Sequence, residues 1–161
     1  MITNTVTEAD LLDFDRSNLN IKPPKRDYSD IEQHFEVESL MDFTSDRKRM
    51  SILVRDSSDD KYKLYIKGAD SEIKKRLKPN AQDEKIVQAV DNFVCQASTE
   101  GLRTLLFAMK VLDEDEVHAF QVELESIQNS LDRIEIRTEE LYSQLETNLT
   151  LLGATALEDR L

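Results

Sequence analysis

Three strand-patterned runs lie within residues 35–67, separated by two short polar connections. Phe35-Glu36-Val37-Glu38-Ser39-Leu40-Met41 alternates loosely between apolar and polar side chains, as a half-buried strand does. Ser51-Ile52-Leu53-Val54-Arg55 is more continuously apolar, and Lys61-Tyr62-Lys63-Leu64-Tyr65-Ile66-Lys67 forms the third run. Asp56-Ser57-Ser58-Asp59-Asp60 lacks the alternating oxygen ligands and the glycine of a calcium-binding loop, so it reads as a hairpin turn. The other connection places Phe43 and the consecutive cations Arg47-Lys48-Arg49 between two strands. A ring at a strand end beside a basic loop can stack on a base while cations face phosphate. Taken alone, Phe43 reads as core and the basic triplet as a solvated turn. Asp46 reads as a loop carboxylate paired with Arg47 or Arg49.

The strand from Leu64 ends on Lys67-Gly68, where glycine lets another group approach the backbone closely. Asp70 is suited to cap a short helix through Leu77, with Glu72 in its first turn. Beyond Pro79, the spacing predicts a helix over 83–98 with Ile86, Val90, Phe93, Val94 and Ala97 on its apolar stripe. Cys95 is expected to pack, buried, on that face. Glu100-Gly101-Leu102-Arg103-Thr104-Leu105 then opens a largely apolar strand running to Val111. Asp113 to Glu116 starts an acidic helix in which Val117, Phe120, Leu124, Ile127 and Leu131 recur at steps of three and four. Another helix reaches about Leu145, and Leu149 to Leu152 reads as a strand.

Four stretches, in order, resemble the nucleotide-binding domain of type-IV P-type ATPases, the phospholipid flippases. They are Phe43-Thr44-Ser45 through Lys48-Arg49-Met50, Lys67-Gly68-Ala69-Asp70, Glu100 through Leu105, and Leu151-Leu152-Gly153-Ala154-Thr155-Ala156-Leu157-Glu158-Asp159. The resemblance implies an α/β (α+β) fold, a largely antiparallel sheet flanked by helices, where the alternating patterns only permit one. It implies that Phe43 stacks on adenine, that Lys48 lines the same pocket, and that Lys67 and Gly68 close on the base and phosphates. Arg103 would reach the phosphates or ribose. Arg47 and Arg49 could stand in for the charge of Lys48. The implied ligand is ATP, with Mg2+ belonging to the parent protein and no metal site in this chain. The implied partners are the phosphorylation and actuator domains of the same parent. Membrane contact would come only through the parent's transmembrane segments, making this a cytoplasmic domain of an integral membrane protein. Residues 1–33 read as a linker or arm, 34–152 as the nucleotide domain, and 153–161 as the start of the return to the phosphorylation domain. Glu8-Ala9-Asp10-Leu11-Leu12 only faintly resembles the glutamate-bearing helix start of such domains.

Charge and composition bound the alternatives. The net charge of −12 argues against nonspecific nucleic-acid binding. Its distribution is uneven: residues 40–112 carry 14 basic and 11 acidic side chains, whereas residues 113–147 carry 2 and 11. The basic excess therefore coincides with three of the four stretches. No apolar run approaches the ~20 residues of a membrane span. With one cysteine there is no intramolecular disulfide, and an intracellular setting is the default. His34 and His118 lack partners at metal-ligand spacing. The chain also lacks the Asp-Lys-Thr-Gly sequence whose aspartate accepts phosphate in P-type ATPases. The expectation is a domain that presents ATP without itself performing the transfer. Two other readings stand beside it: the nucleotide domain of a cation pump, and a noncatalytic acidic module that binds a partner through residues 113–147.

Overall fold

The computed structural model describes residues 19–21, 33–79, 84–130 and 132–158. Glu8, Leu131, Asp159 and most of the expected arm lie outside these residues. Six strands form one antiparallel sheet in sequence order: β1 (Leu19–Ile21), β2 (Gln33–Met41), β3 (Arg49–Asp56), β4 (Lys61–Gly68), β5 (Arg103–Leu112) and β6 (Thr150–Leu157). Every neighbouring pair is antiparallel, in agreement with the sheet implied by the resemblance. Helices α1 (Asp70–Lys74) and α2 (Glu84–Thr99) link β4 to β5, while α3 (Glu114–Gln128) and α4 (Ile134–Leu145) link β5 to β6.

The period-two alternation divides the sheet's side chains between two faces. Leu53, Leu64, Ile66, Leu106 and Ala108 enter the large core together with Ile73 of α1, Val90 and Val94 of α2, Val117 and Phe120 of α3, and Leu145 of α4. All four helices thus contribute to the core on one face. Ile52, Val54 and Phe35 form a smaller cluster on the other face, joined by Val37, Leu40 and Tyr65. β3 is buried along most of its length, which matches its continuous apolar run.

The helices begin and bury as their local chemistry directs, with three corrections to the sequence reading. Asp113 and Glu116 form a reciprocal capping box at α3: Asp113 Oδ1 accepts from the Glu116 N–H at 2.8 Å, and Glu116 Oε2 accepts from the Asp113 N–H at 3.2 Å. At α1, however, Ala69 is the cap and Asp70 is the first helical residue, accepting from the Ser71 N–H at 2.7 Å. On α2 the buried side chains are Val90, Val94 and Ala97, whereas Ile86 and Phe93 are exposed. Cys95 is exposed as well. It follows Val94 by one residue, about 100° around the helix, and so leaves the face packed on β5 and β6.

The β3–β4 turn is fixed by a buried acid. Asp56 accepts from Lys63 Nζ at 2.6 Å and from the Ser58 N–H and hydroxyl at 2.9 and 2.6 Å. Burial alone would raise this carboxyl's pKa, but the hydrogen bonds from Lys63 and Ser58 outweigh it and hold the value at about 2. Its unfolded-state value is near 3.8. The stabilisation is therefore fully present above pH ~4 and lost as pH falls towards ~2, an effect on the order of 2 kcal/mol. Asp56→Asn should remove that part of the acid dependence, as measured by urea unfolding across pH 2–5. An unchanged acid slope in the variant would assign the dependence to other carboxylates.

Candidate nucleotide site

The meander returns four chain segments to one end of the sheet: the end of β2, the start of β3, the end of β4 and the start of β5. Arg49 pairs with Gly68, Met50 pairs with Lys67, and Gly68 pairs with Leu106 near the beginning of β5. Thus the segments holding Phe43, Lys48, Lys67, Gly68 and Arg103 converge, although 60 positions separate the first from the last in sequence. Lys67 pairs with Met50 on one side and Phe107 on the other. These three side chains lie on the sheet face opposite the helices. Arg103 shares that face by alternation, four residues or about 13 Å along β5 from Phe107.

The loop between β2 and β3 is tied by its own backbone. Thr44 accepts twice, its carbonyl from the Lys48 N–H at 2.8 Å and its hydroxyl from the Arg47 N–H at 3.1 Å. Lys48 adopts a left-handed conformation with φ of 52°, and its carbonyl accepts from the Ala69 N–H at 3.0 Å. Phe43 stands 58% exposed, which rules out the core role its position alone suggested. Its ring offers a platform for stacking.

The three cations of this loop do not act alike. Lys48 is exposed, whereas Arg47 and Arg49 are 6% and 3% exposed and point into the protein. Both meet Glu146, which is fully buried just beyond α4. Arg49 Nε donates to Glu146 Oε2 at 2.6 Å, and Arg47 Nη2 donates to Oε1. The Ser51 hydroxyl donates to the same Oε1. Glu139 lies against both arginines, 2.8 Å from Arg49 Nη2 and 2.9 Å from Arg47 Nε, the latter without the alignment of a hydrogen bond. Arg49 Nη2 also meets the Ser143 hydroxyl at 2.9 Å, and the Arg47 guanidinium sits 5.2 Å from the centre of the Tyr142 ring. Burial pushes the Tyr142 phenol up from its ordinary pKa, against the opposing pull of Arg47.

This cluster corrects two sequence readings. Arg47 and Arg49 pair with Glu139 and Glu146, not with Asp46. They are also spent internally, so they do not supply the outward charge of Lys48, and part of the basic excess in residues 40–112 is neutralised inside the fold. The acidic partners were missed because they belong to a segment that reads as a solvated acidic helix. One signal was available: Glu139, Ser143 and Glu146 recur at steps of four and three, which places them on one helix face.

Gly68 is required by a close approach from within the chain. A Cβ there would stand 2.7 Å from both the Lys48 carbonyl oxygen and Arg49 Cβ. The end of β4 can therefore receive the basic loop only because residue 68 has no side chain.

A cavity of about 510 Å³ opens at the opposite end of the sheet, beside Arg55, Asp60, Tyr62, Val111 and Glu116. Its charges are of mixed sign, which gives no concentrated field for a polyphosphate. Among the described residues no group of three or more His, Cys, Asp or Glu side chains is arranged to hold a metal ion. None of the described helices is long and apolar enough to cross a membrane.

Comparison with known proteins places this geometry in context. A family model described as P-type ATPase, cytoplasmic domain N, matches residues 1–161. The chain is 37% identical over 130 residues to the phospholipid-transporting ATPase tat-1 of Caenorhabditis elegans, covering 81% of this chain and 11% of that protein. It is 41% identical over 130 residues to the phospholipid-transporting ATPase DNF1 of Chaetomium thermophilum, covering 81% and 8%. It is 39% identical over 127 residues to phospholipid-transporting ATPase 2 of Arabidopsis thaliana, covering 79% and 11%. The chain thus spans about a tenth of the length of the curated relatives it matches.

Gly68→Ala should destabilise the protein by about 1–3 kcal/mol, the scale for forcing a methyl group into filled space. The obstructing atoms belong to backbone and Cβ, so a flexible side chain cannot swing aside. Urea unfolding measures the loss, and wild-type stability in this variant would mean that the loop lifts away from β4 at little cost.

Proposed function

This chain belongs to the P-type ATPase cytoplasmic domain N family, and from that membership we propose that it binds ATP and presents the terminal phosphate to another domain of its parent protein. The observation that carries the proposal is the division of labour in the β2–β3 loop. Phe43 exposes its ring and Lys48 faces outward, while Arg47 and Arg49 are turned inward to hold the loop in place. A nucleotide needs a flat apolar surface for its base and charge-assisted donors for its phosphates. Phe43 supplies the surface. Lys48 and Lys67 supply cations, and among the described residues neither ammonium takes part in an ion pair. Arg103, on the same sheet face as Lys67, extends the basic track towards the phosphates or ribose. Gly68 serves by letting the loop close on β4.

The parent protein is proposed to be a phospholipid-transporting ATPase. The 37–41% identity to proteins so named supports this over a cation pump. In that setting the chain would face the cytosol, and the phosphorylation and actuator domains would be its partners. The acceptor aspartate would come from the phosphorylation domain, since the Asp-Lys-Thr-Gly sequence does not occur among the 161 residues. Mg2+ would arrive with the ATP phosphates and neutralise charge there. The rival acidic interaction module finds less support than the nucleotide reading because the family match extends over the whole chain.

ATP titration followed by amide chemical shifts tests this reading. Shifts should centre on residues 43–48, 67–68 and 103, with a dissociation constant on the order of 0.1–10 mM. Phe43→Ala should weaken ATP by roughly 1–3 kcal/mol, the value of a base stacked on an aromatic side chain. A folded Phe43→Ala variant that binds as wild type would put the base elsewhere. Lys67→Met keeps most of the side-chain length and removes the cation, so it should weaken ATP more than adenosine. Equal loss of both ligands would move Lys67 from the phosphates to the base or the fold.

A further inference from the structure

We infer that Glu146 is a positioning residue for nucleotide binding, one that touches no ligand and sets the Phe43 platform through Arg47 and Arg49. The inference rests on the ATP-binding reading above. Glu146 lies at the end of α4, some 100 positions from the loop it governs, yet it is fully buried against both arginines. Each arginine then grips the loop backbone with another nitrogen. Arg47 Nη1 donates to the Asp42 carbonyl at 3.0 Å, one residue before Phe43. Arg49 Nη1 donates to the Arg47 carbonyl at 3.0 Å, one residue before Lys48. The chain of contacts therefore runs from one carboxylate, through two rigid guanidinium forks, to the peptide groups that precede the stacking ring and the outward cation. Arginine's planar, multidentate geometry suits this task.

The left-handed conformation of Lys48 adds to the argument. A non-glycine residue with φ of 52° is held there by its surroundings. Its restraints are the Thr44 and Ala69 hydrogen bonds on its own peptide groups and the clamped arginines on either side. Without the Glu146 charge, two buried guanidiniums share only the half-exposed Glu139, and the loop backbone they grip loses its fixed anchor. The expected result is a displaced platform with an intact sheet.

Glu146→Gln keeps the shape and removes the charge, so it isolates this role in the 161-residue chain. Amide spectra without ligand should change over 42–51 and 139–146 while those of α2 and β6 remain. ATP and adenosine should both weaken by about tenfold, a loss within the range set by one stacked base. The deciding measurement is a double-mutant cycle: in the Glu146→Gln background, Phe43→Ala should cost less than about twofold, because the ring is already misplaced. A folded Glu146→Gln variant that binds ATP as wild type overturns the inference. So does one in which Phe43→Ala still costs its full factor, since that pattern is a general loss of structure. If Phe43→Ala weakens wild-type binding while Glu146→Gln does not, only this inference fails. If the wild-type chain shows no ATP-dependent shifts, the nucleotide reading fails and the inference falls with it. Should Glu146→Gln not fold, Glu139→Gln, half-exposed against the same arginines, is judged by the same cycle with a smaller expected loss.

Discussion

Two guanidiniums buried in one place need compensating charge before anything else near them can be specified. Arg47 and Arg49 obtain it from Glu146 and Glu139, so two cations and two carboxylates balance within the fold. Such a cluster need not add net stability, because removing the charges from water offsets much of their attraction. What it adds is geometry. An apolar filling of the same volume would accept several loop conformations, whereas forked donors meeting fixed acceptors accept few. The loop that carries Phe43 is thus held from beneath by ionic contacts and from the side by the close approach to Gly68.

The same contacts explain how adjacent residues of one chemical type come to differ. Alternation sends Arg49 and Ser51 inward, beside Leu53, and leaves Met50 on the opposite face. The left-handed turn at Lys48 lets its side chain leave the protein between two inward neighbours. A charge total over residues 40–112 cannot register that distinction, because it weighs an arginine in an interior ion pair equally with a lysine in water.

Local periodicity made much of the fold legible. The strands around Val37, Leu53 and Leu64 and the stripe of α3 follow from side chains that must choose between core and water, and that choice repeats along the chain. The apolar spacing over 83–98 matches helix α2, but the buried face is narrower than that stripe: Ile86, Phe93 and Cys95 are apolar and still exposed. Their burial depends on how α2 rotates against β5 and β6, which no local pattern records. The candidate site residues stand out as motifs in sequence order, and the meander brings the segments that hold them to one end of the sheet. Their support does not stand out in this way, because the pairing of Glu146 with Arg47 joins residues 99 positions apart. A buried glutamate at the end of an acidic helix has the same local signature as a solvated one.

The shared counter-ion also restricts how this sequence can drift. Replacing either arginine by a neutral residue leaves carboxylate charge in excess, and replacing Glu146 leaves Glu139 alone to balance two cations. The paths open to neutral change therefore run through joint replacements, in which an apolar or amide side chain at position 146 appears with a matching loss at 47 or 49. Lys48 is under no such restriction from the cluster. Within three consecutive basic residues, the outer two are bound by charge to a glutamate far along the chain, while the middle one answers to its left-handed backbone and to whatever binds at the surface.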